Sequence, residues 1–279
     1  SSLSYGKAAI HNLTKEFNIT KNKNSLINIK NNRLIPEKTI SLNNISHKFK
    51  NSENIINEVN LTITVGSNLG ILGGSGAGKT TLLDIILGLH TPTIGYLSVD
   101  NLKIDETNII NWKMCLGYVP QTIYLIDNSF AENIAFGVPV NEIDFKKVIE
   151  CAKIAQIHDF IVDENSEGYL QKVGERGARI SGGQSQRIGI ARALYTNPDV
   201  LILDEATNAL DTITEKKVLD SIQSAMQLKT IIIVTHKLST VKNCNSIILL
   251  EKGNIKAVGS YDDLKNLDLN YFEIKKNNN

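Results

Sequence analysis

Residues 73–80 read Gly73-Gly74-Ser75-Gly76-Ala77-Gly78-Lys79-Thr80, the full phosphate-loop pattern of glycine, four residues, glycine, lysine and a hydroxyl residue. A short apolar run, 68–72, leads into it, and 80–89 is apolar on most sides, as a buried helix would be. Strand, glycine turn and helix is the context the pattern requires. Glycine lets the backbone bend until several N–H groups converge on phosphate oxygens. A helix N-terminus adds partial positive charge at the same place. Lys79 can reach β and γ phosphates, and the Thr80 hydroxyl can ligate Mg²⁺. A chance glycine-rich turn is the bland alternative, and the complete pattern in its proper setting argues against it.

Continuous apolar runs at 115–119, 200–203 and 230–234 predict central parallel strands. In an open parallel sheet ligands bind beyond the carboxyl ends of the strands. There the three runs deliver Gln121, Asp204 with Glu205, and His236. Asp204 is expected to hold Mg²⁺, and Glu205 to act as base on the attacking water. His236 is placed to contact the γ-phosphate, and Gln121 to sense Mg²⁺ and that water. Each has an ordinary alternative, since Asp caps helices and a lone His or Gln is commonly just hydrogen-bonded structure. Their convergence with the phosphate loop on one sheet edge favours function.

A second glycine-rich helix start, Ile180-Ser181-Gly182-Gly183-Gln184, precedes a helical stretch at 184–195. By itself it reads as an ordinary cap. One nucleotide needs one cradle, however, and two in one chain suggest a nucleotide gripped between two chains. With this the chain resembles the nucleotide-binding domain of ABC transporters. Residues 180–184 resemble that family's signature, with Ile180 where Leu is usual. Asn208-Ala209-Leu210-Asp211 resembles the D-loop, with Asn208 in place of Ser. His236 matches the switch histidine, followed by Lys237 where Arg often stands, and Gln121 matches the Q-loop glutamine. Phe49 falls at the aromatic A-loop position that stacks on adenine, where Tyr is commoner. Val173-Gly174-Glu175-Arg176-Gly177 resembles the X-loop of exporter-type members.

The resemblance, over about 38–273, implies an α/β fold: a P-loop NTPase (RecA-like) core with a mostly parallel sheet, an N-terminal antiparallel β subdomain, and a helical subdomain at about 122–198 carrying the signature. It implies ATP and Mg²⁺ as ligands. Nucleotide contacts are implied at Phe49, Gly73, Gly74, Ser75, Gly76, Ala77, Gly78, Lys79, Thr80, Thr81, Ser181, Gly182, Gly183, Gln184 and Asp211. Catalytic roles are implied for Glu205, His236, Lys79 and Gln121, and Mg²⁺ contacts for Thr80, Gln121 and Asp204. It also implies a head-to-tail dimer of two copies with ATP between phosphate loop and opposing signature, working with a transmembrane domain at the cytoplasmic face of a membrane.

The remaining sequence sets the frame. Residues 1–17 carry a helical apolar stripe, expected to be a connector from a membrane domain fused upstream, and 18–38 is an Asn- and Lys-rich linker. The ATPase domain is expected over 39–273, with antiparallel strands at 40–49 and 58–65 and a closing hairpin at 246–250 and 254–258. Residues 274–279 are expected to be a disordered tail. A net charge of +1 over 279 residues argues against a nucleic-acid partner. Cys115, Cys151 and Cys244 are too few and too far apart for a disulfide framework. No apolar run approaches the ~20 residues of a membrane span. Against the exporter motor stand an importer's ATPase, a DNA-repair-type ABC ATPase and an ATP sensor. The X-loop resemblance and the 1–17 helix oppose the first. The lack of heptads across 79–181 opposes the second, and intact Glu205 and His236 oppose the third. Residues 118–137 resemble transporters of lipid-linked sugars or polysaccharides.

Overall fold

A computed structural model of the chain describes residues 33–49, 54–174 and 177–267, with side chains as far as Lys265. The chain divides into two units, Ser1–Arg33 and Leu34–Asn279, and every element below belongs to the second. The expected connector at 1–17, most of the 18–38 linker, Glu175 and Arg176 of the X-loop and the tail lie outside the described residues.

In chain order the strands are β1 (Thr39–His47), β2 (Ile56–Thr64), β3 (Asn68–Gly73), β4 (Ile94–Val99), β5 (Leu102–Lys103), β6 (Leu116–Val119), β7 (Val200–Asp204), β8 (Thr230–Thr235), β9 (Ser246–Glu251) and β10 (Asn254–Gly259). The α-helices are α1 (Lys79–Ile86), α2 (Ile109–Lys113), α3 (Phe130–Ile134), α4 (Phe145–Ile154), α5 (His158–Asp163), α6 (Gly182–Tyr195), α7 (Thr212–Ala225), α8 (Leu238–Val241) and α9 (Tyr261–Leu267).

Alternation makes the smaller sheet. In β1 Ile40, Leu42 and Ile45 turn inward, and in β2 Ile56, Val59, Leu61 and Ile63 do the same. The two pair antiparallel, and the sheet order is β2-β1-β4-β5. The larger sheet has the order β10-β9-β3-β8-β7-β6. Its β9, β3, β8, β7 and β6 are parallel, and β10 is antiparallel at one edge.

β7 and β8 are buried at every position because both faces of the sheet are covered. Leu201, Leu203, Ile231 and Ile233 point into one core, shared with α4, α6 and α7. Ile202, Ile232 and Val234 point into the other, shared with α1, the antiparallel sheet and Trp112. The Trp112 indole N–H reaches Ile86 O at 2.8 Å, so this largest buried side chain carries no unsatisfied donor. Helices α3, α4, α5 and α6 fall within the expected helical segment. Arg192 of α6 ties that segment together by donating to Asn133 O, Asn133 Oδ1 and Tyr124 O. All three cysteines are free and buried.

Several elements have no counterpart in the sequence reading: β4, β5, α2, α3, α5, α7, α8 and α9. The longest, α7, buries only Val218, Ile222 and Glu215, too sparse a stripe to announce a helix. The expected helix at 80–89 stops at Ile86, with Gly88 at φ +66° just beyond. The expected closing hairpin forms, and its first strand also joins the main sheet beside β3.

Register aligns the carboxyl ends of the parallel strands. Leu72 pairs with Thr235, Val234 with Asp204, and Leu203 with Val119. The next residues out, at one edge, are the phosphate loop, His236, Glu205 and the segment leading to Gln121.

Candidate nucleotide site

The turn from β3 into α1 is made by residues whose backbones others could not copy. Gly78 is the N-cap of α1 at φ 98°, and a Cβ there would lie 2.9 Å from Ile56 Cδ1 and 3.0 Å from Ile55 O. No side-chain cap bond is made at the start of α1. Gly74, Ser75, Gly76 and Thr80 are exposed along this turn, whereas Gly73, Ala77, Gly78 and Thr81 are buried beneath it. Lys79 Nζ lies 3.0 Å from both Gly73 O and Gly74 O, which holds the ammonium over the loop.

Glu205 is the centre of the site. It stands one residue past β7 at φ 49°, a left-handed backbone unusual for glutamate. Its N–H donates to Val234 O at 2.9 Å, which pins it to the neighbouring strand end. Oε2 accepts from Gln121 Nε2 at 3.1 Å and from Asn208 Nδ2 at 2.7 Å. Oε1 lies 3.4 Å from His236 Nδ1 and 4.0 Å from Lys79 Nζ. The four residues given catalytic roles from sequence, Lys79, Gln121, Glu205 and His236, therefore meet around one carboxylate.

Asp204, the last residue of β7, is buried, and Tyr118 Oη donates to its Oδ2 at 3.4 Å. Burial first, and then the adjacent Glu205 charge, push the Asp204 carboxyl above the usual range. The Tyr118 bond and Lys79 pull the other way. Burial also raises the Tyr118 hydroxyl, and the Asp204 charge adds to this. A raised folded-state value means that the folded chain binds this proton more readily than the unfolded one. Ionising Asp204 therefore costs stability as pH rises above the unfolded-state value, and the cost remains at neutral pH. Asp204→Asn should accordingly raise the melting temperature of the nucleotide-free chain at pH 7, by on the order of 2 °C. That gain should shrink as pH is lowered. A fall at pH 7 in thermal scans would show the carboxylate to be compensated within the fold.

The second glycine-rich start lies elsewhere in the chain. Ser181 caps α6 in a capping box with Gln184: Ser181 Oγ accepts from Gln184 N at 3.2 Å, and Ser181 N donates to Gln184 Oε1 at 2.8 Å. Ser181 and Gly182 are exposed. Gly183 packs on the 205–211 loop, where a Cβ would sit 3.0 Å from Ala209 O. Gln186 Oε1 accepts from Ala209 N at 2.9 Å on the same loop. Asp211 caps α7, accepting from Ile213 N at 3.1 Å and Thr214 N at 3.0 Å, bonds that hold its carboxyl below the usual range, those with Thr214 foremost. Phe49 lies just past β1 with about two-fifths of its surface open, edge-on to His47 at 5.1 Å and to His90 at 5.4 Å.

This arrangement has relatives. The family model described as "ABC transporter" matches residues 56–208. The chain belongs to the ABC transporter family. It is 36% identical over 237 residues to the beta-(1→2)glucan export ATP-binding/permease protein NdvA of Bartonella bacilliformis, covering 85% of this chain and 39% of that protein. It is 42% identical over 228 residues to the leukotoxin translocation ATP-binding protein LktB of Mannheimia haemolytica, covering 81% of this chain and 32% of that one. A structure of a bacterial Atm1-family ABC exporter with ATP bound superposes with a TM-score of 0.82 at 32% identity, over 88% of this chain and 43% of the other. The chain thus spans between about a third and two-fifths of the length of these curated relatives. It is an ATP-binding domain of the ABC family, with the α/β fold and antiparallel subdomain expected from its sequence. Among the described residues no helix is long and apolar enough to cross a membrane.

Two residues at the site escaped the sequence reading. Asn208 was seen only as a departure from the D-loop pattern, yet it makes the shortest hydrogen bond to Glu205. Tyr118, inside an apolar run, reaches Asp204. In a strand whose other residues are purely apolar, a lone phenol next to the site was the available signal.

Proposed function

We propose that this ABC domain binds Mg-ATP at residues 73–81 and hydrolyses it to drive export, working with a membrane-spanning part of the same polypeptide. The observation that carries the reading is the convergence of Lys79, Gln121, Asn208 and His236 on Glu205 at the mouth of the phosphate loop. The triphosphate lies at the N-terminus of α1, where backbone N–H groups and the Lys79 ammonium meet its charge. Glu205 takes the proton of the attacking water, with Gln121 and Asn208 orienting its carboxylate. His236, 3.4 Å from Glu205, reaches the γ-phosphate from the other side. The exposed Phe49 ring offers a face to the adenine.

The residues present also suit magnesium. Among the described residues no group of three or more His, Cys, Asp or Glu side chains could cage a metal. Magnesium commonly binds through one or two carboxylates, with substrate phosphates and water completing its shell. Asp204 is such a carboxylate, buried at the end of β7, and with the exposed Thr80 hydroxyl and Gln121 it would hold the ion. Held there, magnesium would supply neutralising charge to the triphosphate.

Two copies of the domain enclose ATP head to tail, each offering residues 181–184 to the other's phosphate loop. The start of α6 supports this: Ser181 and Gly182 are exposed, while Gly183 behind them packs on the 205–211 loop. Relatives named for export and translocation favour an exporter over an importer. The glucan-export relative supports a polysaccharide-class cargo. The domain would then work at the cytoplasmic face of a membrane. Ser181→Arg should abolish ATP-driven dimers in sedimentation while monomer affinity for ATP stays within about twofold of the parent, a change of under 0.5 kcal/mol. Dimers that persist with that substitution would refute the shared site.

A further inference from the structure

Glu215 lies in the first turn of α7, one turn past Asp211, and its side chain is buried. A buried carboxylate needs donors, and this one has three. Oε1 accepts from Thr207 Oγ1 at 2.7 Å and from Thr240 Oγ1 at 2.8 Å, and Oε2 lies 3.5 Å from Lys237 Nζ. Both threonines are buried as well.

The donors come from two separate segments. Thr207 lies two residues after Glu205 and precedes Asn208, whose amide holds Glu205 Oε2. Lys237 directly follows His236, and Thr240 sits in α8. One carboxylate outside the nucleotide site therefore bonds to both loops that carry Glu205 and His236. Those strands are joined by the backbone as far as Asp204 and Val234, with Glu205 N on Val234 O. Beyond that point side chains set the spacing of the two loops, and Glu215 joins them from behind.

We propose that Glu215 is a positioning residue for ATP hydrolysis: it holds the 205–208 and 236–240 loops in register so that Glu205 and His236 meet beside the phosphate loop. The inference rests on the ATPase reading above and deepens it. It makes Glu215 neither a ligand of the nucleotide nor a catalytic group. Its loss should affect turnover rather than binding.

Glu215→Gln keeps the shape but removes the charge that faces Lys237 and leaves one acceptor oxygen where there were two. In the 279-residue chain this variant should lower kcat for ATP at least about tenfold, while Mg-ATP affinity by calorimetry stays within about twofold. In a His236→Ala background it should lower kcat by less than in the parent, because part of its effect runs through His236. Independently of turnover, amide hydrogen exchange should quicken in both 205–210 and 236–241 and remain unchanged in 73–81. Parallel losses of kcat and affinity, a full second loss in the His236→Ala background, or faster exchange in one loop alone or neither would overturn the proposal. If the parent chain releases no phosphate from ATP, the ATPase reading fails, and the exchange experiment still decides whether Glu215 couples the loops. Should Glu215→Gln not fold, Glu215→Asp keeps the charge on an arm one methylene shorter and is read in the same way.

Discussion

Glu205→Gln should leave ATP binding intact and reduce turnover by roughly 10³-fold, within the range a positioned general base contributes. The substitution is isosteric, and the left-handed backbone at this position is no harder for Gln than for Glu. The amide oxygen can still accept from Gln121 or Asn208, so the local geometry persists. What disappears is a carboxylate able to take a proton from water. A negative charge near the γ-phosphate disappears with it, so affinity should hold or improve. ATP bound but not cleaved should then accumulate as a stable dimer. Phosphate release measures the first effect, and sedimentation with Mg-ATP the second. Release at the parent rate would remove Glu205 from the base role.

Lys79→Ala should weaken Mg-ATP binding by roughly ten- to hundredfold, the loss expected when one or two charge-assisted hydrogen bonds to phosphate are deleted. The fold should tolerate the change. Lys79 is the first residue of α1, alanine favours helix, and the ammonium gives up bonds to Gly73 O and Gly74 O and a 4.0 Å contact with Glu205 Oε1. The melting temperature of the nucleotide-free chain should accordingly move little, and the stabilisation that ATP confers should fall in step with affinity. Calorimetry that finds unchanged affinity would contradict the phosphate-cradle assignment. Lys79→Ala and Glu205→Gln thus separate binding from chemistry: one removes the charge that holds the tail, the other the group that activates water.

The parts of the site legible in the sequence are those whose chemistry is local. Residues 73–80 must be glycine-rich to turn without side chains, and the interiors of β7 and β8, 200–203 and 231–234, must be apolar because helices and a second sheet cover both faces. Ser181 with two glycines before a helical stretch reads as a helix start from a few adjacent residues, and the structure adds the reciprocal bond with Gln184. The helices α3 and α5 are only five and six residues long, and β5 only two, so no period could be read from them. For α7 the cap residue Asp211 was visible but was read for a nucleotide contact, and two buried aliphatic residues in fourteen made no clear stripe.

By itself the sequence determined that a phosphate-binding turn, an acidic strand end, a glutamine, a histidine and a second glycine-rich helix start occur in one α/β chain, because each is written in a few adjacent residues. Only the tertiary structure decided that Glu205 is the meeting point, that Asn208 and Tyr118 serve the acidic pair, and that Glu215 joins the Thr207 and Thr240 segments. Those contacts bridge residues far apart in the chain, as between Lys79 and Glu205, or between Tyr118 and Asp204, which are 86 positions apart. Such distances are closed by strand register and core packing, quantities that belong to the whole fold rather than to any stretch of it.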